Sequence, residues 1–194
     1  MIMRAMSERA TGAWLLIASC LWPGAAGAQY LGGGTKTGAE AQVADLADMR
    51  MKFVGLAGAM PEDKYAWKPM EGVRSVHDVL ALVITEAELF PTMWSFERPA
   101  WARMQFNEEL SRLALLSRAD LVTELERSFD HVIALVQGLS TADRAKQVSF
   151  FGLNVDLATA ITLMTNDMHE HLGQMIAYAR MNRVVPPWSR PGSN

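Results

Sequence analysis

The sequence predicts an all-α protein, a four-helix bundle with a long crossover linker between its second and third helices. Four segments carry apolar residues at intervals of three and four, which places those residues on one face of a helix. No segment of comparable length shows the alternation that is typical of a strand. Four amphipathic helices joined by long connections indicate a helix bundle.

Capping signals mark the first two helices. The first is predicted to begin near Thr37, where Glu40 completes a capping box. The second is predicted to begin at Ser75, with Asp78 in the corresponding position, and to end or kink at Pro91. The predicted core residues are Leu46, Met49, Phe53, Leu56 and Met60 in the first helix and Val76, Leu80, Val83, Ala87 and Phe90 in the second.

The third and fourth helices have the same kind of boundaries. The third is predicted to begin at Ser117, with Asp120 three residues later, and to end at Gly138. The fourth is predicted over residues 156–181. The predicted core residues are Leu121, Leu125, Phe129, Val132 and Val136 in the third helix and Leu157, Ile161, Met164, Met168, Met175 and Tyr178 in the fourth.

Two connecting segments complete the predicted fold. The linker of residues 91–116 is long enough to cross one end of the bundle, and we expect a short helix in it around residues 101–116. Residues 147–155 are the only ambiguous segment, because they are apolar but too short for a clear helical or strand period.

The first 28 residues have the pattern of a secretory signal peptide. A short basic segment precedes an apolar run over residues 12–22, and residues 26–28 form an Ala-x-Ala cleavage site. The apolar run is too short to span a bilayer, which takes roughly 20 residues. We therefore expect cleavage after Ala28, and a periplasmic or secreted protein with no stable membrane span. Cys20 offers an alternative, a lipoprotein cleavage box, but cleavage there would cut the apolar run.

The remaining chain suits a single domain. Residues 29–38 form a glycine-rich leader that we expect to be flexible, residues 39–189 form the bundle, and residues 190–194 form a tail. The net charge of the chain is −3 and no cluster of Lys or Arg occurs, so we expect no nucleic-acid partner. Cys20 is the only cysteine. Any metal site in the processed protein must therefore use nitrogen and oxygen ligands.

The polar cluster from Asp167 to His171 carries the clearest functional signal. Residues four apart share a helix face, so Asp167 and His171 are expected to point inward on the face that holds the apolar core residues, with His169 and Glu170 towards solvent. A carboxylate directed into a core is costly unless it is paired or binds a metal, and bundles build metal sites from inward side chains on facing helices. The cluster therefore predicts two metal ligands. The simpler alternative is a hydrogen bond between Asp167 and His171.

His77 is the candidate for the third ligand. It lies in the first turn of the second helix, where the helix dipole favours the neutral imidazole that a metal requires; the alternative is an ordinary exposed residue. His131 is expected to face solvent. Glu86 and Glu88 lie about three turns from His77 along the helix. We therefore expect three protein ligands and an open coordination position, which is typical of catalytic metal sites.

These residues resemble the pattern of the DinB-like family of metal-binding bundles. The resemblance rests on "AWKP" at residues 66–69, "SVHD" at residues 75–78 and "DMHEHLGQ" at residues 167–174. Residues 181–189 are similar to the family's tail, so the resemblance extends over about residues 41–189. It implies an up-down-down-up bundle in which three histidines of the second and fourth helices hold a divalent metal.

The family pattern is matched at His77 and His171, and the chain departs from it at Asp167. A carboxylate shifts the preference towards harder ions such as Mn²⁺ or Fe²⁺, although Zn²⁺ also accepts such ligands. The expected cofactor is a divalent ion of Zn, Mn, Fe or Ni. Gln174, one turn beyond His171, is expected to support the metal ligands by hydrogen bonding.

The resemblance implies a metal-activated thiol transferase or isomerase. The export signal argues against that activity, because low-molecular-weight thiol cofactors are kept in the cytosol. Metal-activated water is then the expected nucleophile, in a hydrolase or lyase that acts on a small-molecule substrate. The alternative is a non-catalytic periplasmic bundle whose metal is structural or lost. A homodimer is a possible assembly.

Overall fold

Four long helices form the bundle in the structure, a computed structural model that describes residues 36–190. The helices in chain order are α1 (Gly38–Ala59), α2 (Val76–Leu89), α3 (Phe106–Leu113), α4 (Arg118–Gln137), α5 (Thr141–Arg144) and α6 (Leu157–Met181). The four predicted helices correspond to α1, α2, α4 and α6. The predicted fold class is confirmed: an up-down-down-up four-helix bundle with a long crossover between α2 and α4. The predicted signal peptide and Cys20 lie outside the described residues.

Side-chain caps set the starts of the long helices. Thr37, Ser75 and Ser117 cap α1, α2 and α4 as predicted, and Asp156 caps α6. In each case the side-chain oxygen accepts the backbone N–H of the residue three positions on, a contact that stabilises a helix by about 1 kcal/mol. The helix starts predicted from sequence are therefore confirmed.

The core lies between the four long helices. Helices α1 and α2 each pack against both α4 and α6. All of the residues predicted for the core of these helices are buried. At the interface of α1 and α4 the rings of Phe53 and Phe129 lie 5.7 Å apart, centroid to centroid. Each large side chain buried in this way contributes about 1.5–3 kcal/mol relative to an exposed one.

The crossover begins where the sequence predicts. A 3₁₀ turn (Phe90–Trp94) that contains Pro91 follows α2 directly, and Ser95, with φ of 68°, redirects the chain. Helix α3 is the short helix expected in the linker, although it is shorter than predicted. The crossover is attached to α2 by a hydrogen bond of 2.7 Å that Trp101 Nε1 donates to Glu88 Oε1.

The ambiguous segment forms a β-hairpin in front of α6. Strand β1 (Gln147–Phe150) pairs with the antiparallel strand β2 (Leu153–Asp156). The two residues of the turn, Phe151 and Gly152, have φ values of 47° and 81°, the left-handed pair that a type I′ hairpin turn requires. The hairpin packs against α6 and against the turn that follows α2.

Among the helices of residues 36–190, none has the length together with the hydropathy that a membrane span requires.

Candidate metal centre

Three side chains of the kind that bind metals meet between α2 and α6. Glu86 of α2 and Asp167 and His171 of α6 each offer one ligand atom, and these atoms all lie within 4.8 Å of one another. Nε2 of His171 lies 3.4 Å from Oε1 of Glu86 and 3.9 Å from Oδ2 of Asp167. Within residues 36–190, no other three His, Cys, Asp or Glu residues form such a group. We call these three residues the acid–histidine cluster.

The helical repeat explains the position of the cluster. Asp167 and His171 are one turn apart on α6 and share a face, and Glu86 meets them because α2 packs against α6. The neighbouring core residue Met168 is fully buried, whereas 44% of the Asp167 side chain is exposed. The cluster therefore lies at the edge of the core. His171 is largely buried, as the sequence pattern predicts, but Asp167 is more exposed than the inward position predicted for it.

Burial makes a negative charge on Glu86 costly. The Glu86 side chain is 4% exposed, and burial raises the pKa of its carboxyl against the opposing effect of the hydrogen bond with His171. The same hydrogen bond raises the pKa of His171, although burial acts in the opposite direction. Without another cation, these two residues are thus arranged to share a proton.

The donor atoms suit a divalent metal ion. Oε2 of Glu86 is buried and has no hydrogen-bond partner among the described residues, so this carboxylate can still accept a cation. Two carboxylates and one imidazole are ligands that Mn²⁺, Fe²⁺ and Zn²⁺ accept. Ligand atoms about 2.1 Å from a tetrahedral ion lie roughly 3.4 Å apart, close to the separation of Glu86 and His171. A divalent ion would also balance the two carboxylate charges.

The structure brings together two of the three predicted ligands, and His77 is not with them. Nε2 of His77 lies 3.4 Å from the carbonyl oxygen of Leu116, and its ring meets the Tyr65 ring edge-on. His77 precedes Glu86 by about 13 Å along the helix axis. Glu86 is therefore distant from His77, as expected, but it lies at the level of Asp167 and His171. The group that could hold a metal ion is thus Glu86, Asp167 and His171, and His77, the predicted third ligand, lies outside it.

Gln174 connects the cluster to the start of α2. Its Nε2 donates a hydrogen bond of 2.8 Å to the Tyr178 hydroxyl, which in turn donates one of 3.0 Å to the carbonyl oxygen of Arg74. After the larger effect of Glu86, a hydrogen bond with Gln174 also helps to raise the pKa of His171. Gln174 therefore has the position from which it would orient the imidazole.

The other two histidines have different surroundings. His169, expected to face solvent, is one-third exposed, and its Nε2 lies 2.9 Å from Oδ1 of Asp45 on α1. The expectation that His131 faces solvent is wrong. Trp101 of the crossover covers it, with ring centroids 5.9 Å apart, and burial lowers the pKa of His131. A long linker that returns over α4 is the physical reason for this difference.

A cavity of about 870 Å³ opens beside the cluster. Residues of α2, the following turn, the crossover, the hairpin and α6 form its walls. Its apolar lining includes Leu82, Leu89, Phe90, Met93, Phe150 and Phe151. The volume is in the range of about 300–1,000 Å³ that is typical of small-molecule sites. The cluster therefore faces a space that a small molecule fits.

Comparison with known proteins identifies a family and several similar folds. The family model of the DinB superfamily matches residues 45–175. A DinB-like protein from Bacillus cereus superposes with a TM-score of 0.64 at 11% sequence identity, over 76% of this chain and 95% of the other. No match is found among curated proteins.

Two further solved structures are similar in fold. YfiT from Bacillus subtilis, described as a probable metal-dependent hydrolase with an unusual four-helix bundle topology, has a TM-score of 0.60 at 15% identity, over 79% of this chain and 92% of YfiT. A mycothiol-dependent maleylpyruvate isomerase has a TM-score of 0.57 at 14% identity, over 73% of this chain and 63% of the isomerase. At such low identity, these likenesses establish the fold and leave the chemistry to the residues of the cluster.

Proposed function

Because the chain belongs to the DinB superfamily, we propose that it binds a divalent metal ion at the acid–histidine cluster and acts as a metal-dependent hydrolase. One observation carries this proposal. Glu86, buried on α2, directs its carboxylate at Asp167 and His171, with all three ligand atoms within 4.8 Å and beside a cavity. The probable metal-dependent hydrolase of the same fold supports it.

Charge favours a cation at this position. With His171 neutral, the two carboxylates carry two negative charges, and Glu86 is almost completely buried. An unpaired buried charge costs several kcal/mol, so a single proton shared with His171 compensates less completely than a divalent ion would. The expected ion remains one of Zn, Mn, Fe or Ni.

The three side chains of the cluster have different expected roles, which follow from their exposure. Glu86 and His171, 4% and 14% exposed, would hold the ion against the bundle, and Gln174 would fix the imidazole. Asp167, 44% exposed, borders the cavity and would complete the ligand set on that side. When bound, a divalent ion supplies Lewis-acid activation of water and of a substrate carbonyl.

The runner-up is a non-catalytic bundle in which the ion only joins α2 to α6. The position of the cluster favours catalysis instead, since the three ligands come from two helices and one side remains towards the cavity. Structural sites are usually closed by four protein ligands, whereas catalytic sites keep an open position. The two functions can be distinguished by activity, because only a catalytic site would hydrolyse a small ester.

Metal binding is tested by Co²⁺ titration and elemental analysis of protein purified without a histidine tag. We expect one ion per chain in the wild type, loss of binding in Glu86→Gln and His171→Ala, and weaker binding in Asp167→Asn, which keeps an oxygen ligand. Affinity should fall as the pH decreases, because the imidazole and the carboxylates must be deprotonated to coordinate.

Three variants serve as controls in the same titration. Glu170→Gln and His169→Ala remove the acid and the histidine of α6 that lie outside the cluster, and we expect full metal content in both. His77→Ala should also retain the ion. Loss of metal in His77→Ala, with retention in Glu86→Gln, would return the site to the family pattern and refute the cluster. Catalysis is tested with p-nitrophenyl acetate, whose hydrolysis should stop on chelation.

Export of the protein is a separate proposal, supported by the apolar run of residues 12–22 and the cleavage site at Ala28. An intact mass that begins at Gln29 is expected for exported material. A diacylglyceryl mass on Cys20 would establish the lipoprotein alternative.

A further inference from the structure

The cavity beside the cluster is mostly apolar, and its charged lining residues are those of the cluster and Arg74. The other polar residue of the lining is Thr92, and the Thr92 hydroxyl is already used in a hydrogen bond of 2.6 Å to the carbonyl oxygen of Leu89. A small molecule that fits this cavity therefore needs an apolar body, with polar groups only where it meets the cluster or Arg74.

Exposed apolar side chains continue the cavity to the surface. Several large residues of the lining are exposed, although side chains of this type are usually buried. They are Met93, Met104, Phe106, Phe151 and Leu153. Because they surround one opening with the cluster on its wall, an apolar molecule bound there would cover both the cavity and its rim.

Phe151, at this opening, has an unusual backbone conformation. Its φ of 47° lies in the left-handed region, which a bulky residue rarely adopts. Its side chain is 66% exposed, and its ring lies 5.3 Å from Phe90 and 4.6 Å from Phe150, centroid to centroid. Strained backbone of this kind is typical of functional positions. At the tip of the hairpin, Phe151 forms part of the wall of the cavity.

We propose that the substrate is an ester of an apolar carboxylic acid, with its carbonyl at the cluster and its acyl chain along the hairpin, in contact with Phe151. This substrate class rests on the proposed function. The reaction adds the hydroxyl of water to the acyl carbon, breaks the bond between that carbon and the ester oxygen, and transfers the remaining proton to the leaving alcohol. The products are the carboxylic acid and the alcohol.

The test uses two homologous series on the metal-loaded protein. Calorimetry measures the Kd of straight-chain carboxylates from butanoate to dodecanoate, and kinetics measures KM and kcat for the matching p-nitrophenyl esters. Burial of each added methylene should tighten binding about twofold to fourfold. KM should fall along the series while kcat changes little, because the chain lies away from the reacting carbonyl.

Phe151→Ala should flatten the dependence of Kd on chain length, and Phe151→Leu should restore part of it. Leu115→Ala is the matched control, because Leu115 is 87% exposed and is not part of the cavity lining. It should behave as the wild type. Unchanged melting temperatures in all three variants would show that the hairpin remains folded.

The outcomes separate this inference from the proposed function. If metal binds and p-nitrophenyl acetate is hydrolysed but Kd and KM do not depend on chain length, the acyl chain site is refuted and the hydrolase stands. If decanol and decanoate bind equally, with no effect of chelation, the apolar cavity is supported, but the placement of the polar head at the metal-loaded cluster is refuted. If neither binds and the protein is a dimer that Phe151→Ala dissociates, a second copy covers the opening and the inference is wrong.

Discussion

Glu86 and Glu88 lie two positions apart on α2, and both are buried, with the pKa of each carboxyl raised by burial. Each leaves its Oε2 atom without a hydrogen-bond partner among the described residues. They differ in their surroundings. Glu86 faces Asp167, His171 and a cavity. Glu88 faces the crossover, where Trp101 donates to its Oε1 and the carboxylate of Glu109 lies nearby.

The surroundings of Glu88 form a closed polar network. Arg112 donates to both oxygens of Glu109, and its ion pair with Glu124 reaches α4. Although burial acts to raise it, the pKa of Glu109 is lowered by hydrogen bonds from Arg112 and from the backbone of Arg103. Burial raises the pKa of Glu88 to about 8, so Glu88 is mostly a neutral acid at pH 7.

Buried acidic residues of one helix can therefore have different roles, which depend on the groups that surround each carboxylate. Glu88 lies among protein groups alone and attaches the crossover to α2. Glu86 borders a cavity, with a second carboxylate and an imidazole at ligand distance, and no arginine pairs with it among the contacts of residues 36–190. The contacts of Glu88 therefore predict a role in stability, and those of Glu86 predict a role in metal binding.

Loss of Arg112 would break the polar network around Glu88. Arg112→Ala leaves the buried Glu109 carboxylate without its charged partner, and we expect a loss of about 3–5 kcal/mol in the free energy of unfolding, measured with urea. Arg50→Ala is the matched control, since Arg50 also pairs with a carboxylate through two hydrogen bonds, to Asp130 on the exposed surface. That loss should be about 0–1 kcal/mol. Equal losses would contradict a structural role for the network.

Glu86→Gln and Glu88→Gln test whether the two buried acids of α2 have different roles. A metal ion at a hundred times its Kd should raise the free energy of unfolding of the wild type by about 2.7 kcal/mol. Glu88→Gln should retain this gain, because Gln resembles the neutral acid and keeps the oxygen that accepts from Trp101. Glu86→Gln should lose it. Thermal unfolding with and without the ion measures both, and a gain retained in Glu86→Gln would exclude Glu86 as a ligand.

Much of this arrangement could be predicted from the sequence, because it depends on local signals. Caps at Thr37, Ser75 and Ser117 set the helix starts, and the helical repeat places Asp167 and His171 on one face. The position of Glu86 in the cluster could not be predicted, because which turn of α2 meets α6 depends on how the helices cross. Acidic residues inside the otherwise apolar α2 were the available signal for Glu86.

The hairpin and His131 were missed for related reasons. A helical period or an alternating strand is visible over many residues, but the hairpin depends on a left-handed Phe151, a conformation that sequence does not predict for phenylalanine. His131 faces away from the core of the four helices, as expected. It is covered because the crossover returns over it with Trp101, a contact between segments distant in sequence.

In metal-free protein, His131 and His171 should make small and opposite contributions to the pH dependence of stability. Burial lowers the pKa of His131 in the folded state, so the unfolded chain binds a proton more readily and stability falls as the pH decreases below about 6.5. The hydrogen bond with Glu86 raises the pKa of His171, so its contribution is complete below about 6.5 and is lost as the pH rises through the folded-state pKa. The two histidines therefore act in opposite directions.

Urea unfolding of His131→Gln and His171→Gln between pH 5 and pH 8, with a chelator present, measures the two contributions. We expect His131→Gln to reduce the loss of stability on the acid side and His171→Gln to reduce the loss on the alkaline side. The wild type is the reference at each pH, so titration of all other groups cancels in the difference. The contact of His131 with Trp101 and that of His171 with Glu86 predict opposite effects on the pH dependence. If both variants change the pH dependence in the same direction, that prediction is wrong.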